Sequence, residues 1–416
     1  MSRKLILGLS LLMILIIPLA VDASSVLGAA SSSPVLVGIY PSAELYSTVG
    51  EINSLESYLG KPTVSMAGTF LDFESPDWLI NSELNAAWDN GYIPFLNIGA
   101  GTLKDDSWGA TICPNDPNSD GDTSDEIKCT ADKIANGDLD PAIRNWAILF
   151  KNWANGGEKY AYIAPLQEMN GKWIDYFGDP TSYQEAFARI RQIFEDEGVP
   201  SESMIWVFAP NGWSEKEEDN FEYYYPGDDE VDVVGFSSFN FGDCWSYSDS
   251  EGYDEIYKPY LDRMAAMASS KPIFVAEIAS VTEGVNRSAW FHDTLDQIGA
   301  YPGVEGILYF NRSEDPNNFQ APPICNPVDY SLDANGGEGK STFKEIVTNE
   351  PYGHYQSLDY WSGSIEVTSD QNVVTVSRPH MGSQIMTYKG SAGSSTSQYA
   401  PMLFKDIWGY NSALFV

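Results

Sequence analysis

Three histidines, four cysteines and 23 basic residues are few for a chain of 416, and each shortage removes a class of chemistry. His292, His354 and His380 are scattered, none beside a Ser or Cys motif. Neither a Ser-His-Asp hydrolase nor a His-ligated metal enzyme is therefore expected. No CxxC pair is present, so the common zinc spacings are missing too. Against the few basic residues stand 59 Asp and Glu, a net charge of −36. Phosphate-rich partners would be repelled, so nucleic acid and anionic membranes are excluded as expected partners. Beyond the first residues no run is long and apolar enough to cross a bilayer. No Gly-rich phosphate loop follows the first strand candidate, which argues against a dinucleotide fold.

What the chain does have begins with an address. Arg3 and Lys4 precede an apolar run from Leu5 to Val21, and Val21-Asp22-Ala23 offers small residues for cleavage. Residues 1–23 thus have the layout of a secretory signal peptide, and residues 24–34, rich in Ser and Ala, that of a linker. A secreted, extracellular protein, monomeric and free of the membrane after cleavage, is expected. Acidity suits solubility outside the cell, and oxidising surroundings allow Cys113, Cys129, Cys244 and Cys325 to pair.

Eight short apolar runs then alternate with helix-length amphipathic segments. The runs are Val35–Tyr40, Val64–Phe70, Tyr92–Ile98, Tyr160–Leu166, Met204–Ala209, Val231–Phe239, Pro272–Ala276 and Val304–Phe310. Each is nearly all apolar, as a strand buried on both faces should be. Between them, Pro141–Trp153 carries Ile143, Trp146, Phe150 and Trp153 at helical spacing, and Ser182–Glu197 carries Phe187, Ile190 and Phe194. Eight such repeats predict an α/β fold of the (β/α)8 TIM-barrel type over residues 35–355. Residues 356–416 change texture, with alternation at Ile365–Thr368 and Val373–Ser377, and predict a short β-rich C-terminal extension.

In a barrel of this kind, chemistry sits where strands run out into their following loops. The fourth run exits through Gln167-Glu168-Met169-Asn170-Gly171, and the seventh through Ala276-Glu277-Ile278. A carboxylate at the end of a buried strand is costly unless it is paired or functional. Two aimed at one mouth suit a retaining glycosidase. That chemistry places one protonated and one ionised carboxyl about 5–5.5 Å apart.

The run Gln167-Glu168-Met169-Asn170-Gly171-Lys172-Trp173 resembles the His-Glu-Met-Asn-Gly-x-Trp signature of glycoside hydrolase family 26, the β-mannanase family. Trp206–Asn211, Tyr224–Gly235, Lys271–Glu277 and Gly306–Asn311 resemble that family's fifth to eighth strands, in family order, and the similarity spans roughly residues 35–350. The resemblance implies Glu168 as acid/base, Glu277 as nucleophile and Trp173 as a wall of the −1 sugar site. An indole there would exclude water and favour a protonated Glu168. Two departures stand out. Gln167 replaces the family's His, which places mannan in doubt as the substrate. Phe239 replaces a Tyr that touches the nucleophile, removing a hydroxyl donor.

Asn211, Trp213, Trp245, Asn311 and Asp72 complete the expected substrate-binding set with Gln167 and Phe239. Asn97, Phe241 and Arg312 also stand at strand exits. In the third exit loop, Asp116, Asn118 and Asp120 alternate before Gly121, with Asp125 beyond, an arrangement that matches a structural calcium loop or a solvated acidic one. No cofactor is expected for catalysis. By strand order, Cys113 should pair with Cys129 and Cys244 with Cys325. The function expected is a secreted, retaining endo-β-glycanase acting on a plant-type polysaccharide, β-1,4-mannan first. The alternatives are a β-1,3/1,4-glucanase, a xylanase, or a non-catalytic carbohydrate-binding protein.

Overall fold

The computed structural model describes residues 34–100, 130–174, 176–246, 248–314, Cys325 and 327–354 in full, and gives backbone strands alone within 355–415. Eight parallel strands form the centre: β1 (Val35–Tyr40), β2 (Val64–Asp72), β3 (Ile93–Gly99), β4 (Ala161–Pro165), β5 (Met204–Phe208), β6 (Val233–Asn240), β7 (Ile273–Ser280) and β8 (Val304–Phe310). They pair in chain order, and β1 bonds both β2 and β8, so the sheet closes on itself. Helices lie between successive strands, giving a (β/α)8 barrel.

The helical spacing read from the sequence is used as expected. Ile143, Trp146, Phe150 and Trp153 are all buried on the helix Asp140–Ala154. The helix Pro180–Asp196 buries Phe187, Ile190 and Phe194, and Asp179 caps it by accepting from the Thr181 and Ser182 amides. Inside the barrel, aromatic rings fill the space. Phe95 stacks on Tyr162 at 5.7 Å, and Tyr162 meets Phe274 at 5.2 Å.

Two strands run two or more residues further than their apolar runs suggest. β7 continues to Ser280 because its backbone keeps pairing with β6 past Glu277, as far as Asn240–Ser280. β2 likewise continues to Asp72, in register with Gly99. The polar side chains that end the apolar pattern are therefore on the strands themselves, at their C-terminal ends.

Between Tyr355 and Phe415 the backbone forms short antiparallel pairs, such as Glu366–Thr368 with Ser397–Tyr399. The expected signal segment, all but the last residue of the linker, the acidic loop with Asp116, Asn118, Asp120 and Asp125, and Cys113 and Cys129 lie outside the described residues. Among the described residues, no helix is long and apolar enough to cross a membrane.

Candidate active site

Glu168 and Glu277 reach the barrel mouth by two different backbone distortions. At the end of β4, Leu166 and Glu168 adopt left-handed φ values of 55° and 56°. Non-glycine residues in that region cost about 1 kcal/mol or more each. Three hydrogen bonds hold the turn: Leu166 N to Ile98 O, Glu168 N to Ala209 O, and Gly171 N to Glu168 O, each 2.8 Å. On β7 the device is a bulge. Val275 pairs with Phe236, but Glu277 pairs with the next residue, Ser237, and the register with β8 also slips between Val275 and Ile278. An extra residue in one strand re-aims the side chains beside it, here Glu277.

The two oxygens of Glu168 are separately engaged. Trp173 Nε1 donates to Oε2 at 2.9 Å and Asn211 Nδ2 donates to Oε1 at 2.8 Å. Trp173 folds back over the loop because Gly171 leaves room: a Cβ there would stand 2.4 Å from the indole ring. Asn211 is fixed from below by Asn170, which is buried. Asn170 Oδ1 accepts from Asn211 N, and its Nδ2 donates to Asn211 O, both at 2.9 Å. Lys172 and Glu215, 2.6 Å apart, tie the same two loops at their outer edge.

Glu277 is 6% exposed, and Oε1 accepts from Asn97 Nδ2 at 3.1 Å. The same nitrogen donates to the Tyr40 hydroxyl at 3.0 Å. Burial pushes the Tyr40 phenol well above its usual range, and the negative fields of Glu277 and Glu168 add to this, while Asn97 and Arg312 act the other way. Tyr40 thus lies within the electrostatic reach of both carboxylates and of the Arg312 guanidinium.

Four buried polar atoms here have no hydrogen-bond partner among the described residues: Asn97 Oδ1, Ser237 Oγ, Gln167 Oε1 and Arg312 Nε. Buried polar groups are rarely left unsatisfied.

The other sequence candidates divide. Trp213 is 51% exposed on the loop after β5, with its amide bonded to Asn211 Oδ1. Phe239 packs against Phe241, Phe310 and Tyr330. Trp245 is buried, edge-on to Phe241 at 5.0 Å. Asn311 has its side-chain oxygen taken by Leu332 N at 2.7 Å. Asp72 caps a local turn, accepting from Glu74 N and Ser75 Oγ. Asn97 bonds Glu277, an assignment its sequence position alone does not give. From the sequence, Asn170 and Gly171 stood only as letters of the signature run, and Tyr40 only as the end of the first strand. Of these, Tyr40 carried a usable signal, a hydroxyl at the last position of a buried strand.

Cys244 and Cys325 form a disulfide with Cα atoms 4.9 Å apart, joining the exit of β6 to the segment beyond β8. Glu283 lies against it, but two sulfurs bonded to each other are not a metal-ligand pair.

The family model for glycosyl hydrolase family 26 matches residues 77–297. The chain belongs to that family. Endoglucanase H of Acetivibrio thermocellus is 27% identical over 191 residues, 44% of this chain and 20% of that protein. Mannan endo-1,4-beta-mannosidase A and B of Caldalkalibacillus mannanilyticus is 25% identical over 191 residues, 42% of this chain and 34% of that protein. The match thus covers no more than about a third of either relative's length. Among solved structures, a Bacillus subtilis mannanase superposes with a TM-score of 0.52 at 20% identity, over 80% of this chain and 90% of its own. A family-26 β-mannanase from Bacteroides ovatus gives 0.52 at 16% identity, over 80% and 95%. At these identities the structural likeness speaks for the barrel alone.

Proposed function

We propose that the protein is a secreted endo-β-glycanase that cleaves its substrate by double displacement, with Glu277 as nucleophile and Glu168 as acid/base. The observation that carries this reading is the pair of carboxylates at C-terminal strand ends of one barrel, Glu168 held by Trp173 and Asn211 and Glu277 held by Asn97. In the first step the Glu277 carboxylate attacks the anomeric carbon. The glycosidic C–O bond breaks, and the proton of Glu168 passes to the departing oxygen. In the second step Glu168, now ionised, takes a proton from water. The water oxygen displaces Glu277 from the anomeric carbon, and the original configuration returns.

The surroundings of each group suit its task. Glu277 accepts an amide N–H from Asn97, which favours the ionised form that attack requires against the opposing effect of its burial. Glu168 is half-buried beside the indole of Trp173, where a leaving group can reach it. Trp213, half in solvent at the rim, offers an aromatic face to a longer chain.

A β-1,4-mannan is the first substrate to test, following the mannanase relative. Gln167, where the family signature has His, together with the endoglucanase relative, supports a β-glucan as the second reading. Reducing-sugar release from mannan, mixed-linkage β-glucan and xylan, with product sizing, tests both. Internal cleavage of one polymer, lost in Glu168→Ala and Glu277→Ala, is the expected result. No release from any of them would defeat the enzymatic reading and favour a carbohydrate-binding protein.

A further inference from the structure

Asn97 is 1% exposed at the outer end of β3, and its amide nitrogen serves two acceptors at once. It donates to Glu277 Oε1 at 3.1 Å and to the Tyr40 oxygen at 3.0 Å. An amide nitrogen carries two hydrogens, so the two bonds do not compete.

Neither anchor is free to shift. Asn97 sits in the ladder between Phe70 of β2 and Ala164 of β4. Tyr40 is fully buried, stacked on Phe70 at 5.0 Å and edged by Phe95 and Phe310. Its ring fills the space that Gly68 leaves open, where a Cβ would stand 2.3 Å away. The amide plane is thus set by its own strand on one side and by a clamped phenol on the other. On the neighbouring strand β6, Phe239 offers an apolar ring and no donor.

We propose that Asn97, braced by Tyr40, is the positioning residue that keeps the Glu277 carboxylate ionised and aimed for attack. This rests on the double-displacement reading above. An N–H donated to a carboxylate favours its charged form, so losing the donor makes Glu277 harder to ionise. The charged groups whose fields act on Tyr40, the second acceptor of the Asn97 amide, are Glu277, Arg312 beyond β8 and Glu168 from the β4 exit. Glu168 opposes a second negative charge and Arg312 favours it. Both are unchanged in the variants below. Tyr40 stays a neutral phenol across the working range, because burial and Glu277 suppress its ionisation.

The test is the pH profile of kcat/KM on a dinitrophenyl β-mannobioside or β-cellobioside, whichever the wild-type protein turns over. Such a leaving group needs no proton from Glu168, so the acidic limb reports Glu277. Asn97→Ala should move that limb upward by about one pH unit, the shift expected for a lost hydrogen bond to a charged group. Its plateau should fall by roughly ten- to a hundredfold as the carboxylate loses its aim. Tyr40→Phe keeps the ring and removes only the oxygen, and should give a smaller shift in the same direction. Should Asn97→Ala fail to fold, Tyr40→Phe decides alone. An unmoved acidic limb in folded variants would overturn the proposal. Labelling with a 2-deoxy-2-fluoro glycoside separates this from the reading beneath it. Wild-type turnover without a label on Glu277 would overturn the double displacement, and the proposal with it.

Discussion

The indole nitrogen of Trp173 donates to Glu168 Oε2 at 2.9 Å while Asn211 holds the other oxygen of the same carboxylate. A Trp expected from sequence to wall the sugar site and exclude water therefore also donates to the carboxyl group. The two effects oppose each other: exclusion of water favours the acid, and an N–H donor favours the carboxylate. Trp173→Phe keeps the apolar cover and removes the donor. It should move the alkaline limb of kcat/KM, on a substrate that needs protonation, upward by about one pH unit. A pH–rate profile checks this, and an unmoved alkaline limb would show that the hydrogen bond has no part in setting the ionisation.

Gly171 is the smaller partner in the same arrangement. A Cβ at this position would collide with the indole, so Gly171→Ala should displace Trp173 without disturbing the buried strands. Misplacement of a group at a reacting centre by about 1 Å can cost on the order of a hundredfold in rate. Steady-state kinetics alongside thermal unfolding should show a large loss of kcat/KM with little loss of stability. Equal losses in both would mean that Gly171 serves the fold and not the site.

The bridge between Cys244 and Cys325 closes a separation of 81 residues. In the chain-entropy model a loop of that length contributes at most about 4.5 kcal/mol, by restricting the unfolded chain. The double variant Cys244→Ser/Cys325→Ser should unfold at a clearly lower guanidinium concentration. Reductant should bring the wild-type protein toward the same midpoint. Identical midpoints would mean that the bridge adds nothing to stability.

Arg189 grips Asp140 with two hydrogen bonds of 2.6 Å, joining the helices Pro180–Asp196 and Asp140–Ala154. Chiefly through those bonds, the guanidinium holds the Asp140 carboxyl below its usual value of 3.8. A folded-state value lowered in this way gives stability that is present above 3.8 and lost as pH falls through the lowered value. Arg189→Met should therefore be less stable than wild type at neutral pH, by a small margin for so exposed a pair. The difference should shrink in strong acid. Urea unfolding at two pH values measures it, and a difference that stays constant would contradict the pairing.

The barrel was legible in the sequence because a parallel strand buried on both faces must be apolar throughout. Val35–Tyr40 and Val304–Phe310 have the same bounds in the sequence reading and in the structure. Strand ends were less legible where a functional side chain interrupts the pattern, as at Glu277 on β7. The carboxylates stood out because each breaks an apolar run. Their supports did not. Asn97 looked like a polar group at a strand exit that could bond sugar hydroxyls; an eight-stranded barrel puts β3 opposite β7, but strand order does not say that the amide reaches Glu277. Tyr40 looked like core, and Asn170 like part of a loop. The bulge on β7 and the left-handed turn at Leu166 and Glu168 are backbone events with no glycine to announce them.

The stereochemistry of the first product decides most directly between double displacement at Glu277 and any other use of the site. Proton NMR of a polysaccharide digest, recorded before mutarotation, reads the configuration at the newly formed reducing end. Double displacement inverts the anomeric carbon twice, so the β-anomer should appear first and the α-anomer only later. An α-anomer appearing first would mean a single inversion by water, and Glu277 would not be a nucleophile.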